Sequence, residues 1–366
     1  MHTVHNIVFY VTGHGFGHAT RSSEIINALS KTLKGQIFVH IRSNAPRWIF
    51  SQNVNAPFEY HFVSIDVGAV QRSFFDVDTL NTLRDSYKFY LKKKNLVKQE
   101  VNFIKENNVS LILADIPPIA FDIAQQAKIP GIAIGNFSWD WIYQPYTSEY
   151  PQFAKVVAKI KESYSKADLL LQLPFSTAMP VFKKRKKIPM IARKATADSD
   201  MVLHQLGIDK THKDRLILLA FGGLDAAGYI MSGIKKCPEY LFVIPTDQPI
   251  QKMENVITVN SHSNVKFLDL VNTCRLIIGK PGYGLVSECI ANRTPLLYTD
   301  RDNFLEYGVM KKQLPQCLPC ARIPRYYLFM GEWKESIDYF YKTPLKWPKI
   351  NANGADVAAG IIKKYL

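Results

Sequence analysis

Gly13-His14-Gly15-Phe16-Gly17-His18-Ala19-Thr20-Arg21 is the stretch on which the fold turns. It follows a short, almost wholly apolar run, Asn6–Thr12 (NIVFYVT), and leads into Ala19–Leu33, where Ile25, Ile26, Leu29 and Leu33 recur at helical spacing. An apolar run of that length ending in glycines reads as a buried strand, so the unit is strand, glycine turn, helix. Three glycines let the backbone turn sharply and bring a ligand against the helix N-terminus, where unpaired N–H groups favour anions. The spacing is GxGxG, not the GxGxxG of dinucleotide-binding domains. Two imidazoles in such a loop add proton chemistry: His18, opening the helix at the mouth of a cleft, suits a general base at neutral pH. His14 reads equally as a site residue or as packing.

Outward from this loop, the first half alternates strand-like and helix-like segments, the pattern of a parallel sheet covered by helices. Gln36–Ile41, Phe58–Ile65, Leu111–Asp115, Gly131–Gly135 and Asp168–Leu173 read as strands, with Asp168–Leu173 the last of this half. Thr79–Glu106, Ile119–Lys128 and Pro151–Ser165 read as helices. Residues 174–212 are rich in proline and lysine and mark a boundary, with a short helix near Ser199–Leu206. A second series then follows, with strands at Leu216–Phe221, Tyr240–Ile244, Val256–Val259, Val265–Phe267, Leu276–Ile278 and Leu296–Tyr298 and a helix at Leu285–Ala291. A chain of 366 residues exceeds what one core usually serves. The expectation is α/β with two facing Rossmann-like, doubly wound domains, 1–190 and 191–350, and a ligand cleft between them at the carboxyl ends of the strands. The segment 351–366 is expected to be a C-terminal helix, packing back towards the first domain.

Three further segments carry chemistry. Asp115 ends the buried strand LILAD, and in a neighbouring parallel strand its carboxylate emerges at the same edge as the first loop, where it could orient His18; it could equally cap the following helix. Ile278-Gly279-Lys280-Pro281-Gly282-Tyr283-Gly284-Leu285-Val286-Ser287-Glu288 is a second strand, glycine turn and helix, a place for a diphosphate, with Glu288 one turn inside to accept from a ribose diol. Phe221-Gly222-Gly223 ends the first strand of that half and offers a second wall for the same pocket. Thr299-Asp300-Arg301-Asp302-Asn303-Phe304-Leu305-Glu306 is acid-rich, and suits sugar hydroxyls or plain solvation.

The composition narrows the partners. A formal charge of +15 favours anionic ones. The densest run, Lys183 to Lys187 (KKRKK), reads as a solvated linker or as a patch for an anionic membrane or nucleic acid. With 47% hydrophobic and 21% charged residues and a mean hydropathy of −0.08, the chain falls among globular proteins, not disordered ones. No apolar run reaches the roughly 18–20 residues of a membrane span, and the start lacks a secretory signal, so a cytoplasmic protein is expected, with peripheral attachment at the inner face of the membrane an option. Five cysteines, an odd number, read as reduced thiols; the single CxxC at Cys317 and Cys320 lacks the second pair of a zinc site.

Together these segments resemble the GT-B glycosyltransferases, especially the UDP-glycosyltransferases and the N-acetylglucosaminyltransferase of peptidoglycan synthesis. His18 sits where those enzymes keep their catalytic histidine, and Asp115, in LILADIPPIAFDIAQQAKIP, where many keep its partner. Gly282, Tyr283, Gly284 and Glu288 look like the diphosphate turn and its ribose-binding glutamate. The loop Asp300–Glu306 is similar to the one that meets the donor sugar, but Asp302 or Asn303 stands in place of the usual glutamine. The run VTGHGFGHATR is closer still to the glycosyltransferase-like domain ahead of the kinase in plant arabinokinases and in related stand-alone bacterial proteins.

What the resemblance implies is transfer of a sugar from a nucleotide diphosphate sugar, UDP-linked, to an acceptor hydroxyl, with inversion and without a metal or other cofactor. His18 and Asp115 would be catalytic. Gly222, Gly223, Lys280, Gly282, Tyr283, Gly284, Ser287, Glu288, Asp302 and Asn303 would face the donor, and His14, Gly15, Phe16, Gly17, Arg21 and Trp139 the acceptor. The alternatives are a non-catalytic sugar-nucleotide-binding protein and a sugar-nucleotide epimerase. The acceptor is open, nucleic acid included.

Overall fold

The computed structural model describes residues 4–73, 75–221, 227–247, 254–260 and 263–366, with the backbone alone at 227–229. Two parallel sheets organise it. The first contains β1 (His5–Val11), β2 (Ile37–Ser43), β3 (Phe58–Phe62), β4 (Leu111–Asp115), β5 (Gly131–Gly135), β6 (Leu169–Gln172) and β7 (Arg185–Lys187), in the spatial order β3-β2-β1-β4-β5-β6-β7. The second contains β8 (Leu216–Ala220), β9 (Leu241–Pro245), β10 (Val256–Val259), β11 (Leu276–Gly279), β12 (Leu296–Thr299) and β13 (Cys320–Ile323), ordered β10-β9-β8-β11-β12-β13. Both are doubly wound, as the alternating pattern predicts.

The central strands form because helices cover both their faces: every residue of LILAD, GIAIG and LILLA is buried. In each sheet the strand order reverses once, between β1 and β4 and between β8 and β11, and the loops leaving those strands diverge to open a crevice. The register sets Val11 beside Asp115, so β1 and β4 end level and their loops share one edge.

Helix α1 (Phe16–Thr32) starts at Gly15, whose φ of 79° suits glycine, and begins three residues before the expected Ala19. Helix α2 (Thr79–Glu106) is a single helix capped by the Asp78 carboxylate, which accepts from the Asn81 N–H. Helix α3 (Tyr283–Asn292) follows Gly282, and helix α4 (Gly354–Ile362) closes the chain and packs on α1, with Ala358 and Ala359 fully buried. The Gly354 N–H donates to the Met190 carbonyl, so the end of the chain is tied to the segment that follows the first sheet. One apolar cluster runs through both halves, joining Phe9, Ile26 and Ile41 to Leu218, Ile277 and Val286.

Three expectations need correcting. The KKRKK run is not a linker: Arg185–Lys187 is the exposed edge strand β7, paired with β6, and its charges discourage pairing with another chain. The first sheet therefore ends there and not at Asp168–Leu173. Val265–Phe267 is not a strand, because the Asp269 carboxylate accepts from the Lys266 N–H and starts a helix at Phe267. Conversely, a strand begins inside the CxxC at Cys320; Arg322 breaks its apolar pattern, as befits an edge. All five cysteines are free thiols, and burial pushes the Cys320 thiol up to about 11. Among the described residues, no helix is long and apolar enough to cross a membrane.

Candidate active site at the facing strand ends

The site grows from the crevice between β1 and β4. His18 lies in the first turn of α1 and is 7% exposed, and its Nδ1 meets Asp115 Oδ1 at 2.7 Å. Asp115 is fully buried at the end of β4, where it also receives Arg21 Nε on Oδ2 and Arg21 Nη2 on Oδ1, both at 2.6 Å, and the Ser22 hydroxyl at 3.2 Å. Burial works against this charge, but Arg21 and His18 outweigh it and draw the carboxyl down to about 2. Arg21 goes on to donate to the Asn136 side-chain carbonyl at 2.9 Å and lies over the Tyr283 ring at 4.9 Å. With Nδ1 committed to Asp115, the Nε2 of His18 is the nitrogen left to address a substrate hydroxyl.

The N-termini of α1 and α3 meet at this point. A Cβ built on Gly284 would stand 2.9 Å from the Gly17 Cα, and one on Gly17 would stand 3.3 Å from the Gly284 N. Only two glycines allow backbones so close, and the contact brings two positive helix ends together from opposite halves. Two cations stand nearby. Burial and then Arg301 lower the Lys280 ammonium to about 8; burial also lowers Arg301, whose guanidinium lies over the Phe304 ring at 4.0 Å. Arg301 Nη2 is buried without a hydrogen-bond partner. Two mutually repelling cations beside two helix ends make an electropositive pocket suited to an anion.

The sites expected from sequence divide into three groups. His18, Arg21, Asp115, Gly17, Gly284 and Tyr283 come together, and the Tyr283 hydroxyl accepts the Ile191 N–H at 3.0 Å. A second group is held by other protein groups. Glu288 is buried in an ion pair with Arg193, whose Nε reaches Oε1 at 2.9 Å, and burial raises its carboxyl despite that cation. The Ser287 hydroxyl donates to the Gly284 carbonyl. The exposed Asp302 pairs with Arg325 at 2.9 Å, and the Asn303 amide donates to Asp76 at 2.8 Å. His14 is wedged between Trp139 and Phe304, its Nδ1 accepting the Ala69 N–H, and burial followed by the nearby charges of Arg301, His18 and Lys280 lowers its basicity strongly. Trp139 is 1% exposed and its indole N–H donates to Asp66 at 3.0 Å, so it is a core residue that presents no face to an acceptor. Phe16 is exposed beside Trp48, and Gly15 makes the turn. Gly222 and Gly223 form the third group, outside the described residues.

Several residues around the crevice escaped the sequence reading. Asp66 binds the Thr12 hydroxyl at 2.9 Å as well as Trp139, and burial raises its carboxyl to about 6. Asn136 links Arg21 to Glu306, donating to Glu306 at 2.6 Å. Both follow directly on segments read as strands, Phe58–Ile65 and Gly131–Gly135, the same position that singled out Asp115. Arg301 was masked by the acidic character of its loop, and Arg193 by a stretch without periodicity.

The sequence model of the family described as glycosyl transferase family 1 matches residues 5–306. L-arabinokinase of Arabidopsis thaliana is 26% identical over 359 residues, which cover 97% of this chain and 34% of that protein. The chain thus spans about a third of the length of that curated relative. Among solved structures, the glycotransferase of kitacinnamycin superposes with a TM-score of 0.65 at 13% identity, covering 99% of each chain. A UDP-glucosyltransferase from Polygonum tinctorium, capable of glucosylating indoxyl and solved with 3,4-dichloroaniline, gives 0.61 at 9% identity, covering 100% of this chain and 94% of the other. At such identities the likeness is one of fold, and the fold is GT-B.

Proposed function

The chain belongs to glycosyl transferase family 1, and we propose that it moves a sugar from a UDP-linked nucleotide sugar to an acceptor hydroxyl, with inversion and without an obligatory metal. The observation that carries this reading is the pairing of His18 with Asp115 beside the Gly17–Gly284 contact, with the buried cations Lys280 and Arg301 near enough to act with His18 on His14. In this reading the base and the anion site flank the position of the donor's anomeric carbon.

In this mechanism the acceptor hydroxyl gives its proton to His18 Nε2 as its oxygen attacks the anomeric carbon. Asp115 accepts the His18 Nδ1–H and stabilises the imidazolium. The bond to the diphosphate breaks in the same displacement, and the leaving charge is met by the N-terminus of α3, Lys280 and Arg301. A single displacement inverts the anomeric centre. The positive groups supply the charge that a divalent ion supplies in other transferases. Glu288 holds Arg193 through Oε1, which leaves Oε2 for a ribose diol.

The test is a panel of UDP-, GDP- and dTDP-sugars with candidate acceptors, read by NMR at the anomeric proton. Transfer or acceptor-independent hydrolysis that survives in His18→Ala at full rate would overturn the assignment. Conversion of the donor sugar to its epimer with no acceptor present would replace it with an epimerase.

A further inference from the structure

On the far flank of the first sheet, away from the crevice, β2 and β3 place three side chains in one cluster. The register sets His40 opposite Glu59 and Arg42 opposite His61, so side chains two apart on each strand emerge on one face. His40 Nδ1 lies 3.5 Å from Glu59 Oε2, His61 Nε2 lies 3.4 Å from the same oxygen, and the two ring nitrogens are 3.4 Å apart. Three polar atoms thus form a nearly equilateral triangle. Each edge exceeds the roughly 2.7–3.2 Å of an ordinary hydrogen bond.

Such a triangle has the size of one face of a coordination tetrahedron. Edges of that length put the centre about 2.1 Å from each vertex, the length of zinc bonds to imidazole and carboxylate. We propose that His40, Glu59 and His61 bind a divalent transition metal, zinc by preference, with a fourth position open to solvent. Two imidazoles and one carboxylate suit zinc and its neighbours in the first row, whereas calcium and magnesium require oxygen donors.

The surroundings support the assignment. Phe103 of α2 packs edge-on against both rings, at 5.2 Å from His40 and 4.9 Å from His61, and Phe38 packs against His40 at 5.0 Å. The His40 side chain is 4% exposed, His61 23% and Glu59 57%, so the site is walled on one side and entered past Glu59. The neighbouring cation, Arg42, is occupied: its Nη2 donates to Glu100 at 2.5 Å and its guanidinium lies over Phe103 at 4.1 Å. A metal here ties the edge strand β3 to β2 beneath α2 and leaves the crevice at β1 and β4 untouched.

The experiment uses the full chain, stripped with chelator, incubated with zinc, desalted and assayed for metal by mass spectrometry. Wild type is expected to retain one equivalent of zinc more than the His40→Gln/His61→Gln double variant, and its cobalt(II) form to show the visible absorption of a four-coordinate site. Glu59→Gln, at an exposed position that keeps the fold, is expected to bind at least tenfold more weakly. Zinc is also expected to raise the melting temperature of wild type by a few degrees and that of the double variant not at all. Equal zinc content in wild type and the double variant, whether none or bound at the Cys317–Cys320 pair, overturns the proposal.

Discussion

Arg21 grips Asp115 through both carboxylate oxygens, at 2.6 Å on each side, while His18 takes up one of those same oxygens at 2.7 Å. The carboxylate is thus a shared anion: it orients the imidazole, and it neutralises a guanidinium that is only 4% exposed. Asp115→Asn leaves Arg21 buried and uncompensated, which costs about 3–5 kcal/mol when one partner of a buried pair is removed. The sign of the pH effect follows from a folded value of about 2 against 3.8. The stabilisation is present above about pH 4 and is lost as pH falls through 2, amounting to about 2–3 kcal/mol. Denaturant unfolding at pH 7 and pH 3 should show wild type losing about 1 kcal/mol, a little under half of this component, and Asp115→Asn losing none of it.

His18 Nδ1 meets the Asp115 carboxylate at 2.7 Å and Arg21 Nη2 at 3.0 Å, two groups that already satisfy each other, so its removal should disturb chemistry more than folding. His18→Ala is expected to lower kcat by about 10²- to 10⁴-fold with donor KM nearly unchanged, the range for loss of a general base. Steady-state kinetics with a melting curve on the same sample check both halves of the statement.

Gly17 and Gly284 are a point where the two halves touch backbone to backbone. Gly284→Ala puts a methyl carbon 2.9 Å from the Gly17 Cα, with backbone on both sides and no flexible side chain to yield. The expected result is a spread cleft: donor affinity reduced at least tenfold and kcat reduced with it. Gly308→Ala, where a new Cβ would meet open space, should leave both parameters alone. Donor titration by calorimetry and initial-rate kinetics compare the two.

Lys280, lowered to about 8 by burial and by Arg301, titrates within an accessible range. An anionic donor favours the charged form, so donor affinity should be level below pH 7 and fall as pH rises through 8 to 9. Lys280→Met should bind the donor weakly at every pH and lose that slope. A series of donor Kd values from pH 6.5 to 9.5 is the measurement.

The crevice between β1 and β4 was legible in the sequence because its residues sit at ends of strands that are buried on both faces. An apolar run such as LILAD followed by a polar residue announces both the strand and the group it delivers, and the level ends of β1 and β4 deliver Asp115 to His18. Asn136 obeys the same rule and could have been read the same way, whereas Asp66 lies four residues beyond the end of β3, a strand that is only partly buried. Other features depend on contacts between distant segments. Arg193 is 95 residues from Glu288, and no local pattern links them. The His40–Glu59–His61 cluster needs the β2–β3 register, which alternation alone does not fix. The edge strands β7 and β13 were missed or misread because charged residues on an edge hide the apolar signature.

Asp66 shows what a buried carboxyl does to the pH profile of the fold. Its value of about 6, against 3.8 in the unfolded chain, arises mainly from burial, which the Thr12 and Trp139 hydrogen bonds only partly offset. A raised carboxyl contributes stability that is fully present below about pH 4 and lost as pH rises through 6. By pH 7.5 the loss amounts to about 3 kcal/mol. In Asp66→Asn that titration is gone, although one of the two hydrogen bonds must find a poorer acceptor. The stability of wild type minus that of Asp66→Asn should therefore fall by about 2–3 kcal/mol between pH 4 and 7.5, as measured by denaturant unfolding at each pH. A difference that stays flat across this interval would mean that Asp66 is already ionised in the folded chain at pH 4, with Thr12 and Trp139 outweighing its burial.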